Sequence, residues 1–306
     1  MKVYINRSPR NGPWGGGAMF TKAFHKLVDR EGVELLVDQT MNINPDVILV
    51  AGLENENLDI SIEQAIMYKL YMKPDCRIVL RVNENDARKA TTGVDDMWRR
   101  YAYHVDGTVF VSRWLQDYFV KLGWGCQSQA VIHNGVDREV FKTQPKLNNG
   151  KLNIVAHHWS DNWMKGFDIY EAIDEFVGEN PDKFAFTYIG RHRSSFKHTN
   201  VVKPLYGKEL GAELGKHDVY VSASRFDPGP NHVLEALSCD LPTYVHKDGG
   251  GAVEFAGLPA TYSSWEDLKS RLITGLHPTG IPAITVPTWE TCIAEYVTYL
   301  DSVRQA

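Results

Sequence analysis

The stretch Val219-Tyr220-Val221-Ser222-Ala-Ser-Arg-Phe-Asp227-Pro-Gly-Pro-Asn231-His-Val-Leu-Glu235-Ala-Leu-Ser-Cys-Asp-Leu-Pro242 decides how this chain reads. It starts as an apolar strand, breaks at a Pro/Gly loop and runs directly into a helix; a second strand and Gly249-Gly250-Gly251 follow. Asp227 and Glu235 stand eight positions apart across the break. The first acid falls on the loop leaving the strand and the second in the first helical turn, so both line one crevice. Ligands of open α/β sheets sit beyond the carboxyl ends of the strands, where helix-start amides face outward. The chemistry that fits is a phosphate on the amides and sugar hydroxyls on the carboxylates.

Outward from this segment, strand and helix patterns alternate along the whole chain, which predicts α/β layers with mostly parallel sheets. Val3–Ile5, Val47–Val50, Arg77–Val82 and Gly107–Val111 read as strands of a first half, with helices over Ala18–Arg30, Ile62–Met72, Asp95–His104 and Arg113–Leu122. The polar, turn-rich tract Gln144–Lys151 reads as a linker. The alternation restarts with strand Asn153–Ala156, a helix near Phe167–Val177, strand Phe184–Ile189 and a helix near Lys208–Leu214. Thr288 is placed to cap a last helix, Trp289–Val303. The expected organisation is two Rossmann-like βα domains, 1–146 and 147–287, facing a central cleft, with the final helix 288–306 crossing back to the first domain.

Composition narrows the class. At 306 residues the chain exceeds the usual single-core size, and 43% hydrophobic residues can fill real cores. The net charge of −5, without a Lys/Arg block, gives no nucleic-acid surface. No apolar run approaches membrane-spanning length and the N-terminus lacks a signal-peptide plan, so the expected location is the cytoplasm. Cys76, Cys126, Cys239 and Cys292 form no Cys-x-x-Cys pair and read as buried reduced thiols, not as a zinc site.

Four further segments fall on strand-to-helix edges. Asn11-Gly-Pro-Trp-Gly15-Gly16-Gly17-Ala18 lets a ligand approach backbone closely, but its spacing is not a dinucleotide fingerprint, and an ordinary βα turn also accounts for it. In His157-His158-Trp159-Ser160-Asp161-Asn162-Trp163-Met164-Lys165-Gly166, Lys165 opens a helix, where the dipole disfavours a cation; a bound anion would resolve that, and a solvated lysine is the alternative. The adjacent histidines point to opposite faces of a strand, which argues against a metal site. Arg81-Val-Asn83-Glu84-Asn85-Asp86-Ala-Arg88-Lys89 is polar enough to meet a substrate past a strand end, or to be simply solvated. In Val131-Ile-His133-Asn134-Gly135-Val-Asp137 the Asn-Gly reads as a turn. The helix Met19–Arg30 sets Lys22, His25, Lys26 and Arg30 beside Phe20, Phe24, Leu27 and Val28; that face suits packing on the sheet, with weak contact to an anionic lipid surface as the alternative.

Taken together, Val131–Asp137 with Phe141, Lys165-Gly166, Tyr188-Ile-Gly190-Arg191 and the Ser222–Glu254 block resemble the GT-B glycosyltransferases, and within them the retaining glycosyltransferase family 4. The block matches that family's acid-x7-acid motif, its Glu-Ala-Leu-x-Cys-x-Leu-Pro and its Gly-Gly-x-x-x-Glu. The likeness spans most of the chain and is specific in its C-terminal half. Three departures stand out: the first acid is Asp227 where Glu is usual, His157-His158-Trp159-Ser160 occupies the place of an arginine, and Asn83–Asp86 stands where the first domain often has a histidine.

The resemblance implies transfer of a hexose or related sugar from a nucleotide diphosphate sugar to an acceptor hydroxyl, with retention of anomeric configuration. Lys165, Asp227 and Glu235 are the implied catalytic set. Glu235 takes the donor ribose, Asp227 the transferred sugar and Lys165 the diphosphate. Gly16, Gly17, Ser160, Gly190, Arg191, Asn231 and His232 complete the implied donor site, and Asn83, Asn85, Asp86 and Arg88 are acceptor-side candidates. With no Asp-x-Asp in the sequence, neither metal nor other cofactor is expected. The implied partners are the nucleotide sugar and a glycan, lipid-linked or small-molecule acceptor; oligomeric state is open. A nucleotide-sugar epimerase, a phosphorylase-like enzyme and a non-catalytic nucleotide-sugar-binding subunit share the same plan.

Overall fold

A computed structural model describes residues 1–9, 15–37, 43–53, 59–278 and 282–306. Its strands are β1 (Lys2–Ile5), β2 (Glu34–Leu36), β3 (Val47–Val50), β4 (Arg77–Val82), β5 (Gly107–Phe110), β6 (Gln129–Val131), β7 (Leu152–His158), β8 (Phe184–Gly190), β9 (Asn200–Val202), β10 (Val219–Ser222), β11 (Thr243–His246) and β12 (Thr261–Tyr262). The α-helices are α1 (Gly16–Leu27), α2 (Ile62–Tyr71), α3 (Asp86–Lys89), α4 (Val94–Ala102), α5 (Arg113–Lys121), α6 (Phe167–Glu179), α7 (Gly207–Leu214), α8 (Asn231–Ser238), α9 (Gly251–Ala256), α10 (Trp265–Thr274) and α11 (Trp289–Gln305). One unit takes Met1–Asp86, Thr91–Gly135 and Pro287–Ala306; the other takes Ala87–Ala90 and Val136–Val286. Each unit carries one six-stranded sheet, parallel throughout, as the α/β reading requires.

The first sheet runs β2-β1-β3-β4-β5-β6. Its central strands are apolar runs such as Val47-Ile-Leu-Val50, buried along their whole length because helices cover both faces. Side-chain alternation splits them between two cores. Val3, Ile5, Val47, Leu49 and Val79 pack with Phe20, Phe24, Leu27 and Val28 of the first helical segment, and with Ile293, Tyr296 and Leu300 of α11. Tyr4, Ile48, Val50, Ile78 and Leu80 pack with α2, α4 and α5 on the other side. The apolar face of α1 is therefore spent on the sheet and on α11, with the Phe20 and Tyr296 rings 4.7 Å apart; it is not left for a lipid surface.

The last helix starts where its cap predicts, Thr288 accepting from the Thr291 N–H. Gly135 was expected in a turn and is instead a packing glycine. A Cβ there would sit 2.4 Å from the Trp289 nitrogen, so the residue is what lets the start of α11 approach.

The second sheet runs β12-β11-β10-β7-β8-β9. Counted from the first strand of this unit, that is the strand order of the dinucleotide-binding folds, and the chain direction across the sheet reverses between β7 and β10. The division between units comes earlier than the expected boundary near 146. Val136 and Phe141 are buried in the second unit's core, and Ser238 Oγ donates to the Phe141 carbonyl at 2.7 Å. Even the polar tract is tied down, Lys146 Nζ donating to the carbonyls of Gly215 (3.2 Å) and His217 (2.5 Å). No helix among the described residues is long and apolar enough to cross a membrane.

Candidate functional site

In an open parallel sheet the loops at the reversal point splay apart and leave a crevice. In the second unit those loops leave β7 at His158 and β10 at Ser222, and the candidate residues sit on them. After β7 comes a 3-10 turn, Trp163–Lys165, capped by the Asn162 side chain, which accepts from Met164 N–H. Gly166 (φ 83°) then turns the chain into α6. A Cβ on Gly166 would lie 2.2 Å from the Ala223 carbonyl, so glycine is what lets the two loops touch; Arg225 N–H then donates to the Met164 carbonyl at 2.9 Å. Arg225 also grips Asp168 of α6 through both guanidinium nitrogens, at 3.0 and 2.5 Å.

This packing brings Lys165 and Asp227 together. Lys165 closes the turn instead of starting the helix, and its Nζ lies 2.6 Å from Asp227 Oδ2, with the residues 8% and 4% exposed. The electrostatic misfit expected for a lysine at a helix start is thus answered by a carboxylate of the same unit. Burial, the largest single influence, pushes the Asp227 carboxyl up, but the charge and hydrogen bond of Lys165 together with the charge of Arg88, on the Ala87–Ala90 segment, hold the group below the usual range. Asp227 is in turn fixed by the glycine run. Gly251 N–H donates to its carbonyl at 2.8 Å, and a Cβ on Gly250 (φ +67°) would stand 2.5 Å from that oxygen.

Glu235 lies one full turn into α8, not in its first turn, because the helix starts at Asn231. Its Oε2 accepts from His157 Nε2 at 2.7 Å, and both side chains are buried. The N-cap residue Pro230 makes no side-chain cap and the first turn of α8 holds no acid, so the helix dipole makes the Asn231–His232 end electropositive. The His232 ring is buried behind that end, its Nε2 2.8 Å from Ser222 Oγ. Strand β7 extends through both histidines, and they diverge as expected: His157 towards α8, His158 towards Tyr170 of α6, Nε2 to Oη 2.6 Å. Among the described residues no group of side chains could hold a metal ion.

His158 and His232 are held far below the ordinary histidine value, first by burial and then by neighbouring positive or potentially positive groups, Lys165 among them. Both are therefore neutral in the folded chain at neutral pH and take up protons on unfolding. The sign follows: stability is intact above about pH 6.5 and falls as pH drops below it, at up to about 1.4 kcal/mol per pH unit for each histidine. Urea midpoints at pH 7.5 and 5.5 should show this fall well above the range where carboxylates titrate; equal midpoints would contradict the assignment.

The remaining predicted residues occupy three places. Ser160 Oγ, in the loop after β7, accepts from Asn162 N–H at 3.2 Å. Gly190 ends β8 at φ +135°, opposite His158 in the register, and a Cβ there would fall 1.9 Å from the His158 carbonyl oxygen. Arg191 places its guanidinium 3.9 Å over the Trp159 ring. In the first unit Gly16 and Gly17 open α1. Asn83 follows β4, its amide nitrogen 3.2 Å from where a Gly17 Cβ would be. Asn85 is buried. Asp86 spends its carboxylate on the start of α4, accepting from Val94 N–H (3.1 Å), Asp95 N–H (3.0 Å) and Thr91 Oγ1 (2.9 Å). Asn11–Trp14 lie outside the described residues. The sequence reading missed Arg7, whose guanidinium sits against Gly17 and Gly52 at the carboxyl ends of β1 and β3, where a Cβ on either would come 3.2 and 3.3 Å from it. A charged residue just past the first strand, before a glycine run, was the available signal.

No protein-family model matches the sequence, and no curated protein sequence does. Solved structures do. The chain is similar to Anabaena Alr3699/HepE, solved in complex with UDP and glucose, at a TM-score of 0.66 and 12% identity over 100% of this chain and 97% of that one. It is similar to sucrose-phosphate synthase from Thermosynechococcus elongatus, at 0.62 and 10% over 99% and 96%. It is also similar to the pneumococcal O-GlcNAc transferase GtfA, solved in complex with UDP and GlcNAc, at 0.60 and 12% over 88% and 59%. These likenesses, with the two parallel six-stranded sheets, establish the GT-B architecture.

Proposed function

We propose that the chain transfers a glycosyl group from a nucleoside diphosphate sugar to an acceptor hydroxyl, with retention of configuration. The observation that carries this reading is the buried Lys165–Asp227 pair on the loop that leads into the acid-free first turn of α8, at the reversal point of the second sheet. The Asp227 carboxylate, 2.6 Å from its Nζ, keeps the buried Lys165 charged and holds it at the edge of the crevice, where a cation suits phosphate oxygens. The barrier in glycosyl transfer is departure of the diphosphate as the sugar gains oxocarbenium character. Lys165 and the Asn231–His232 amides meet the growing phosphate charge without having to reorganise. Glu235 accepts from ribose hydroxyls and Asp227 from the sugar. Attack comes from the face the diphosphate leaves, whose oxygen takes the acceptor's proton, so no protein nucleophile is required. The UDP complexes of the neighbours support a uridine nucleotide as the first donor to try.

Thermal shift against a panel of nucleotide sugars tests the binding half. A donor at a hundred times its Kd stabilises a fold by about 2.7 kcal/mol, so one member of the panel should raise the melting temperature clearly. With that donor and an acceptor, sugar transfer should follow and the product anomer should match the donor's. Product without any acceptor would favour the epimerase reading, product only with inorganic phosphate the phosphorylase-like one, and binding without turnover the non-catalytic subunit.

A further inference from the structure

Glu235 is held asymmetrically. Its Oε2 is fixed by His157 Nε2 at 2.7 Å, while its Oε1 accepts no hydrogen bond among the described residues and the residue keeps 6% of its surface open. His157 is held just as firmly from behind. It lies within the buried run of β7, its ring packs edge-on to Tyr220 at 5.6 Å, and the Tyr220 hydroxyl reaches the His157 backbone nitrogen and carbonyl at 3.4 Å each. Nδ1 of His157 is buried without a partner. A buried N–H left unpaired is costlier than a bare lone pair, so the ring's proton belongs on Nε2, where Glu235 accepts it. The imidazole therefore acts as a fixed donor that consumes one carboxylate oxygen and leaves the other to a ligand.

We infer that His157 is the positioning residue for nucleotide recognition: it clamps Glu235 so that Oε1 alone faces the ribose, and thereby sets the preference for ribose over deoxyribose nucleotides. This rests on the proposed donor site. It extends that reading by assigning a role to the stretch in which the family resemblance lacks its arginine. A free carboxylate would rotate between solvent and ligand, and its hydrogen bond to a sugar hydroxyl would be partly offset by the ordering cost. A carboxylate already locked by a neighbour has no such cost, and a site built to accept from a hydroxyl rejects the analogue lacking it.

The test is calorimetric binding of UDP and of 2′-deoxy-UDP to the wild type, His157→Gln, His157→Asn and His157→Leu, with thermal melts confirming each fold. Wild type should favour UDP by about 10- to 100-fold, the range for a hydrogen bond to a charged group. His157→Gln, whose amide nitrogen reaches the place of Nε2, should keep most of that preference. His157→Asn, too short to reach, and His157→Leu should bring the ratio close to one. A merely structural histidine would weaken both nucleotides alike and leave the ratio intact, and that result overturns the inference while the donor site stands. If no nucleoside diphosphate binds the wild type, the donor site and the inference fall together. If His157→Leu does not fold, the contrast between His157→Gln and His157→Asn decides.

Discussion

Lys165→Ala is expected to lower turnover of the donor sugar by about 10²–10³-fold, the effect of removing one preorganised donor worth roughly 3–4 kcal/mol at a developing anion. The substitution also leaves Asp227 buried without its cation, a loss of about 3–5 kcal/mol of stability in other proteins, so activity alone would be ambiguous. The pair itself supplies the control. Lys165→Ala with Asp227→Asn removes both charges, and a buried pair replaced as a unit is often close to neutral for stability. The double variant should therefore recover much of the melting temperature and none of the turnover. If either protein worked within a few-fold of wild type, Lys165 would not be the group that meets the leaving diphosphate.

Gly190→Ala should be among the most damaging single substitutions in the chain. Its Cβ would overlap the His158 carbonyl oxygen at 1.9 Å, both partners are backbone, and φ is +135°. The strands β7 and β8 pair through this position, so relief means prying apart the sheet that carries the candidate site. The expected loss is on the order of 4 kcal/mol or more, with a melting temperature roughly 10 °C lower or no soluble protein. Gly150→Ala is the matched control, since it has φ +73° and nothing within 4 Å. It should cost only about 1–2 kcal/mol, the usual left-handed penalty. Equal losses at the two positions would mean that backbone conformation, not the collision, sets the requirement at Gly190.

That glycine illustrates how much of this molecule can be read before any coordinates. The family resemblance singles out Gly190 for the donor site, but the collision that demands glycine involves His158, 32 positions away, and only the register reveals it. The alternation of apolar runs and amphipathic helices is local, so the α/β layers and the capped last helix were legible. The edge strands Glu34–Leu36, Gln129–Val131, Asn200–Val202 and Thr261–Tyr262 were not. They are two or three residues long, partly exposed, and exist because a longer neighbour offers them a ladder. At the candidate site the acids and the lysine could be singled out from their places on strand-to-helix edges. Their partners could not. Lys165 meets Asp227 across 62 positions and His157 meets Glu235 across 78. The adjacent histidines drew attention as a metal question, whereas one serves a carboxylate and the other a tyrosine.

The most direct test of the account is the structure of the protein crystallised with a nucleoside diphosphate. The account predicts phosphate oxygens within about 3 Å of Lys165 Nζ and of the Asn231–His232 amides, and a ribose hydroxyl donating to Glu235 Oε1. A nucleotide bound away from the carboxyl ends of β7 and β10, touching neither Lys165 nor Glu235, would contradict it.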